Sequence, residues 1–202
     1  MLITGFPTGP GEANCYLVAG APRTAALVID PGDEAVLTLE YYFEVNGFVP
    51  AAVLLTCGHA AHAASAFELG AGWDIPTYVH PADRSLLAEL GDRQPENLIE
   101  VLGGDRLAVA DILVAVDHTP GHTPGSVVYR VEADTDEGLV PVAFTGDTLL
   151  DPGLGARGDQ QQTRSVIEKL MVLDNKTVVL PGHGPSTTIG ECRRSDPKLQ
   201  EM

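Results

Sequence analysis

Thr119-Pro120-Gly121-His122-Thr123-Pro124-Gly125-Ser126 sets one imidazole inside two prolines and two glycines, between the apolar runs 112–116 and 127–131. Proline fixes φ and glycine permits tight paths, so this segment takes one narrow course between two strands. Loops of that kind present side chains from a rigid scaffold. The same arrangement recurs. Thr56-Cys57-Gly58-His59-Ala60-Ala61-His62 follows the run 51–55, Thr145-Gly146-Asp147-Thr148 follows 140–144, and Pro181-Gly182-His183-Gly184 follows 177–180. A lone histidine is more often a core or surface residue than a ligand. Four loops that each set a His or Asp beside a glycine at a strand end make coincidence the weaker reading and a metal or catalytic site the stronger one. His59 and His62 lie three apart as a helix begins and could face one centre.

Outward from these loops, short apolar runs at 15–18, 25–29 and 77–79 add further strands. Helical patterns at 33–45, 62–69, 81–90 and 163–172 lie between them, several opened by Asp or Pro. The reading is mixed α/β, one domain over 1–202, with two halves meeting near 96–98 and no clear linker. The polar stretch 133–138 is a solvated hairpin tip.

Composition narrows the function classes. The 202 residues carry 28 acidic and 12 basic side chains, a formal net charge of −16, which repels a phosphate backbone and argues against nucleic acid as a partner. Residues 1–20 lack a cationic leader, and Pro7 and Pro10 interrupt any apolar run, so neither a signal peptide nor a membrane span is expected. Cys15, Cys57 and Cys192 form no CxxC pair and suggest no disulfide framework. A cytoplasmic setting is the expectation.

Asp30-Pro31-Gly32, the Thr56 to His62 loop, TPGHTPGS around His122, FTGDT with Asp147 and PGHG with His183 together resemble the metallo-β-lactamase fold superfamily, and within it the glyoxalase II-like, hydroxyacylglutathione-hydrolase-like thioesterases. The resemblance implies an αββα sandwich, two central mixed β-sheets flanked by helices, with a metal site at one edge. It also implies that the residues at 57 and 59 join His122 at a first metal, that those at 61 and 62 join His183 at a second, and that Asp147 bridges both. The family's T-H-x-H-x-D-H is here Thr56-Cys57-Gly58-His59-Ala60-Ala61-His62. Ala61 has no donor atom, so the second site keeps His62, His183 and the shared Asp147. Cys57 can ligate as a thiolate, although its sulfur lies closer to the backbone than an imidazole nitrogen.

Zinc is the implied ion, with iron or manganese as alternatives. One ion at Cys57, His59, His122 and Asp147 is the favoured state, beside a weak or metal-free site and a two-metal site. The implied function is hydrolysis of a small thioester or ester, with Asp147, His59 and His122 central to catalysis and a small acyl compound as substrate. A different reading makes the chain a metal-poor, inactive family member that binds a ligand or partner. A third makes Cys57 a nucleophile beside an imidazole. Asp30 is expected to brace a nearby loop or orient a ligand histidine, while His80 and His118 are expected to be structural or capping. Arg157, in a glycine-rich loop, is either solvent-exposed or a carboxylate guide. Larger glyoxalase II relatives contact glutathione through an added C-terminal helical region with no counterpart here, so glutathione is not the expected thiol.

Overall fold

The computed structural model describes residues 1–91, 97–136, 138–151, 153–154 and 159–200. Among them the strands form two sheets of six. In the first, β1 (Leu2–Thr8), β2 (Ala13–Ala19), β3 (Ala25–Ile29), β4 (Val49–Leu54), β5 (Thr77–Val79) and β6 (Leu98–Glu100) lie side by side in chain order. Strands β1 to β3 are antiparallel and β3 to β6 parallel. The second sheet runs β7 (Arg106–Val109), β8 (Ile112–His118), β9 (Val127–Thr135), β10 (Gly138–Gly146), β11 (Val178–Pro181) and β12 (Thr187–Thr188), antiparallel except where β10 meets β11. The chain passes from one sheet to the other between 100 and 106, a few residues after the division drawn near 96–98, so β6, placed in the second half by the sequence reading, belongs to the first sheet.

Successive side chains on a strand point to opposite faces, and here both faces are apolar. Tyr16, Val18, Leu27, Ile29, Ala52 and Leu54 face Val114, Val116, Val127, Tyr129, Val142 and Phe144 between the sheets. The alternate positions Leu17, Val28, Val53 and Leu55 pack outward on Leu39 and Phe43 of α1 (Ala35–Asn46), on Ala63 of α2 (Ala60–Ala63) and on Leu69 of α3 (Ala66–Trp73). Leu87 of α4 (Arg84–Ala88) completes that layer. On the far side, Val128, Ala143 and Val179 meet Val166, Leu170, Ile189, Cys192 and Leu199. Those belong to the segment after α5 (Gln160–Ser165), to α6 (Ile189–Ser195) and to α7 (Pro197–Gln200). The order helix, sheet, sheet, helix is the αββα sandwich. Slipping any inner strand by one residue would turn its whole set of side chains to the wrong core.

Polar contacts tie the sheets near the site. The buried Tyr129 hydroxyl donates across the gap to the Leu55 carbonyl at 3.0 Å, and the Val127 amide donates to the Thr56 carbonyl at 2.8 Å. Losing the Tyr129 hydroxyl would strip a buried carbonyl of its donor, at a cost of about 1–3 kcal/mol.

The elements differ from the sequence reading in a few places. Pro7 does not prevent β1, because β1 is an edge strand and needs ladder bonds on one side only. The helix expected at 62–69 is split at 64–65 into α2 and α3. Strands β6, β7 and β12 and helices α6 and α7 were not anticipated, being short or weakly periodic. The hairpin expected at 133–138 is formed by β9 and β10. All three cysteines are buried and unpaired. No helix among the described residues is long and apolar enough to cross a membrane.

Candidate metal centre

Each candidate side chain leaves the end of a strand. Cys57, His59 and His62 follow β4, His122 follows β8, Asp147 follows β10, and His183 follows β11. The loops converge on one edge of the sandwich and form two groups. Cys57, His59 and His122 make the first, and His62, Asp147 and His183 the second, the donor atoms of each lying within 4.8 Å of one another. His59 and His62 therefore do not share a centre. A helical turn separates them, and they face neighbouring groups.

In the first group His59 Nδ1 is 3.8 Å from Cys57 Sγ and 3.0 Å from His122 Nε2. Zinc bonds of about 2.3 Å to sulfur and about 2.0–2.1 Å to nitrogen, at tetrahedral angles, set S and N donors about 3.6 Å apart and two N donors about 3.3 Å apart. The observed spacing matches that set to within a few tenths of an ångström. His59 Nδ1 is thus spaced for both partners, and the Cys57 sulfur and His122 lie within 4.8 Å of each other. The Cys57 thiol is buried, and burial first, then the Asp30 carboxylate, push its pKa well above the ordinary value. That is opposite to what a free nucleophilic thiol requires.

In the second group His183 Nδ1 lies 2.7 Å from Asp147 Oδ1, and His62 Nε2 lies 3.4 Å from Asp147 Oδ2. The same Oδ2 is 3.7 Å from His122 Nε2, so one carboxylate oxygen looks toward both groups. Burial disfavours the ionised form of Asp147, but the hydrogen bond from His183 and the neighbouring His62 imidazole outweigh it and hold the carboxyl well below the usual range. His62 is 1% exposed, and neither of its ring nitrogens has a hydrogen-bond partner. Burial alone would lower its pKa. The carboxylates of Asp30 and Asp147 overrule that and raise it to about 10. A buried imidazole with both nitrogens against carboxylates and no hydrogen bond is a place that suits a cation.

The supports explain the geometry. Asp30 sits at φ 51, in the left-handed region that Asp tolerates better than most residues. Its Oδ1 accepts from the Thr56 amide at 2.7 Å, while Oδ2 accepts from the Thr56 hydroxyl and stands 3.1 Å from His62 Nδ1. Both roles considered for Asp30 are thus filled at once. A side-chain carbon at Gly182 would fall 2.5 Å from Asp147 Oδ1 and 2.6 Å from His62 Cε1, so only glycine leaves room for the second group. His80 caps its turn by accepting from the Ala82 amide, and His118 donates to the Pro124 carbonyl. The two rings stack with centroids 4.0 Å apart and take no part in either donor group. Arg157 lies outside the described residues.

Three supports escaped the sequence reading. Gln162 Nε2 donates to the carbonyls of Asp147 and Thr148. Asn14 Nδ2 donates to the carbonyls of Pro181 and Gly184 on either side of His183. Asp83, fully buried, binds two ligand loops. All three act over long sequence separations, and the only local hint is that Asp83 opens a helix three residues after His80.

Two donor groups on four strand-end loops, with one aspartate facing both, meet a matching sequence profile. The metallo-β-lactamase superfamily profile covers residues 8–183. The chain belongs to the metallo-β-lactamase superfamily.

Within this superfamily it is 45% identical to an uncharacterized protein of Mycobacterium tuberculosis (strain ATCC 25618 / H37Rv), over 100% of this chain and 99% of the other. It is 31% identical to the hydroxyacylglutathione hydrolase GloC of Haemophilus influenzae (strain ATCC 51907 / DSM 11121 / KW20 / Rd), over 98% of each chain. Among solved structures it resembles TTHA1623 in a di-iron-bound form, with TM-score 0.77 and 30% identity over 96% of this chain and 98% of that one. This metallo-β-lactamase superfamily member thus keeps the fold of a metal-binding hydrolase family while carrying Cys57 and Ala61 in its first ligand loop.

Proposed function

We propose that the chain is a metal-dependent hydrolase of a small thioester or ester. The observation that carries this reading is Asp147, whose Oδ2 faces His122 on one side and His62 on the other. Cys57, His59, His122 and Asp147 would hold one metal, and His62, His183 and the same Asp147 are the donors for a second ion. Zinc, iron and manganese all accept such donors, and thiolate with imidazole favours zinc. When bound, the metal supplies polarisation of an acyl carbonyl and acidification of a water.

The chain's own residues supply position. His183 fixes Asp147 Oδ1, which leaves Oδ2 as the oxygen that faces both donor groups and accepts a hydrogen bond from the attacking water. Gln162 pins the backbone on which Asp147 rides, and Asp30 keeps His62 turned toward the second group. Water then adds to the acyl carbon and the carbon–sulfur or carbon–oxygen bond breaks, giving an acid and a thiol or alcohol. The relation to a hydroxyacylglutathione hydrolase supports a thioester over other acyl compounds.

Purified protein supplied with zinc, iron or manganese should release thiol from small acyl thioesters and lose that activity to a chelator. Absence of turnover with every metal and ester offered would overturn the reading. Ala61, which removes a donor, favours one rival: a protein that binds a ligand or partner without turnover. Elemental analysis separates the two, because a stoichiometric metal in protein purified without added ions contradicts the metal-poor form.

A further inference from the structure

Asp83 sits in the turn before α4, far in sequence from the ligand loops, and is completely buried. Its Oδ2 accepts from the Gly58 amide at 2.9 Å and from the Thr123 hydroxyl at 2.7 Å, and its Oδ1 accepts from the Gly125 amide at 2.7 Å. Gly58 is the residue between Cys57 and His59, and Thr123 directly follows His122. One carboxylate therefore grips both loops of the first donor group. None of its three bonds goes to a residue of the second.

The glycines beside it make the same point independently. A side-chain carbon at Gly58 would lie 2.7 Å from the Asp83 carbonyl oxygen, and one at Gly125 would lie 2.6 Å from its carboxyl carbon. Both loops have given up a side chain where Asp83 approaches. The Ser126 hydroxyl lies 2.7 Å from the Thr123 hydroxyl and accepts from the Thr123 amide at 3.0 Å, so the turn that carries His122 is closed onto the carboxylate.

We infer that Asp83 is the positioning residue of the Cys57, His59 and His122 group, holding the two loops in the register that brings one sulfur and two imidazoles together. The inference rests on the metal-site reading of that group and adds to it a buried brace, Asp83, whose bonds reach only the two loops of the first group, whereas Asp30 binds Thr56 and stands against His62. Hydrogen-bonded carboxylates behind a metal site typically change its affinity by about 10- to 100-fold.

Cobalt(II) added to metal-free protein tests this, because a thiolate-to-cobalt absorption band reports Cys57 and hence the first group alone. In Asp83→Asn one oxygen becomes a donor facing donors, and the affinity read from that band should fall about 10- to 100-fold, while cobalt bound without the band is unchanged. If Asp83 serves stability only, folded Asp83→Asn keeps the wild-type band and affinity with a lower melting temperature, and the inference is overturned. Equal weakening of both cobalt populations overturns it too. Should Asp83→Asn not fold, Thr123→Val removes one donor to the same carboxylate and is expected to weaken the band in the same direction, and an unchanged band there is decisive against the role. Wild-type protein that binds cobalt with no thiolate band contradicts Cys57 as a ligand, a failure of the metal-site reading distinct from failure of the brace.

Discussion

Asp30 and His62 are joined through a carboxylate oxygen 3.1 Å from the imidazole Nδ1, both side chains buried, with Thr56 bound to the same carboxylate. An imidazole held on one nitrogen presents the other in a fixed direction, and here that direction is toward Asp147. Asp30→Asn keeps the size and removes the charge. Zinc affinity at the His62 group should fall about 10- to 100-fold, measured by calorimetric titration of metal-free protein. Unchanged affinity would mean that packing alone orients His62.

Gly182→Ala should be more damaging to the metal site than its size suggests. The added carbon meets Asp147 Oδ1 and His62 Cε1, and one of them has to leave its place. Metal content is expected to drop at the second group, with the fold retained by circular dichroism. Metal held at His62, Asp147 and His183 as tightly as in the parent would contradict the close approach on which this rests.

Removing metal should destabilise the protein. A ligand present at a hundred times its Kd adds about 2.7 kcal/mol to the folded state, roughly 5–10 °C in Tm for a chain of this size. Melting curves with zinc at that excess and with a chelator give the difference directly, and coincident curves would show that the donors hold nothing.

His80 provides a pH test away from the donor groups. Burial first, and the stacked His118 second, lower its pKa from the ordinary value. The unfolded chain therefore takes up a proton near pH 6.5 that the folded chain resists, so stability is full above that pH and is lost as the pH falls below it. His80→Asn can still cap the turn but does not titrate. Its loss of stability between pH 7.5 and about pH 5.5 should be smaller than that of the parent in chemical denaturation, and parallel profiles would place the acid sensitivity elsewhere.

The double change Cys57→His with Ala61→Asp restores a nitrogen donor to the first group and a carboxylate to the second, beside five donors already in place. Metal content should approach two per chain, and thioester or ester hydrolysis should rise at least about tenfold, the low end of what changes around a metal site produce. A folded, two-metal variant without turnover would locate the defect in the substrate pocket.

The sheets were legible because their strands are short, apolar and separated by turn residues, and the loop residues from Thr56 to His62 and around His122, Asp147 and His183 stand out through their glycines. What the sequence hid is of two kinds. Strand β1 was not anticipated, and that it tolerates Pro7 depends on its being an edge strand, a fact that local pattern does not contain. Asp83, Asn14 and Gln162 were hidden because their partners lie at separations of 42, 170 and 15 residues. The division of His59 and His62 between groups was equally invisible from spacing alone, since residues three apart share a helix face only where the helix has already begun. His59 is the cap and not the first turn.

Each donor group draws on both sheets: Cys57 and His59 with His122, and His62 with Asp147 and His183. An ion in either would close a chain segment of many tens of residues, and closing such a segment removes entropy from the unfolded ensemble. Neither half of the chain could hold an ion in this way by itself. The donors meet only after the two sheets have docked, so an ion should act late in folding, slowing the separation of the sheets more than it hastens their pairing. Release of the ion would then serve as a clock for the first opening of the sandwich, ahead of any loss of helix or strand.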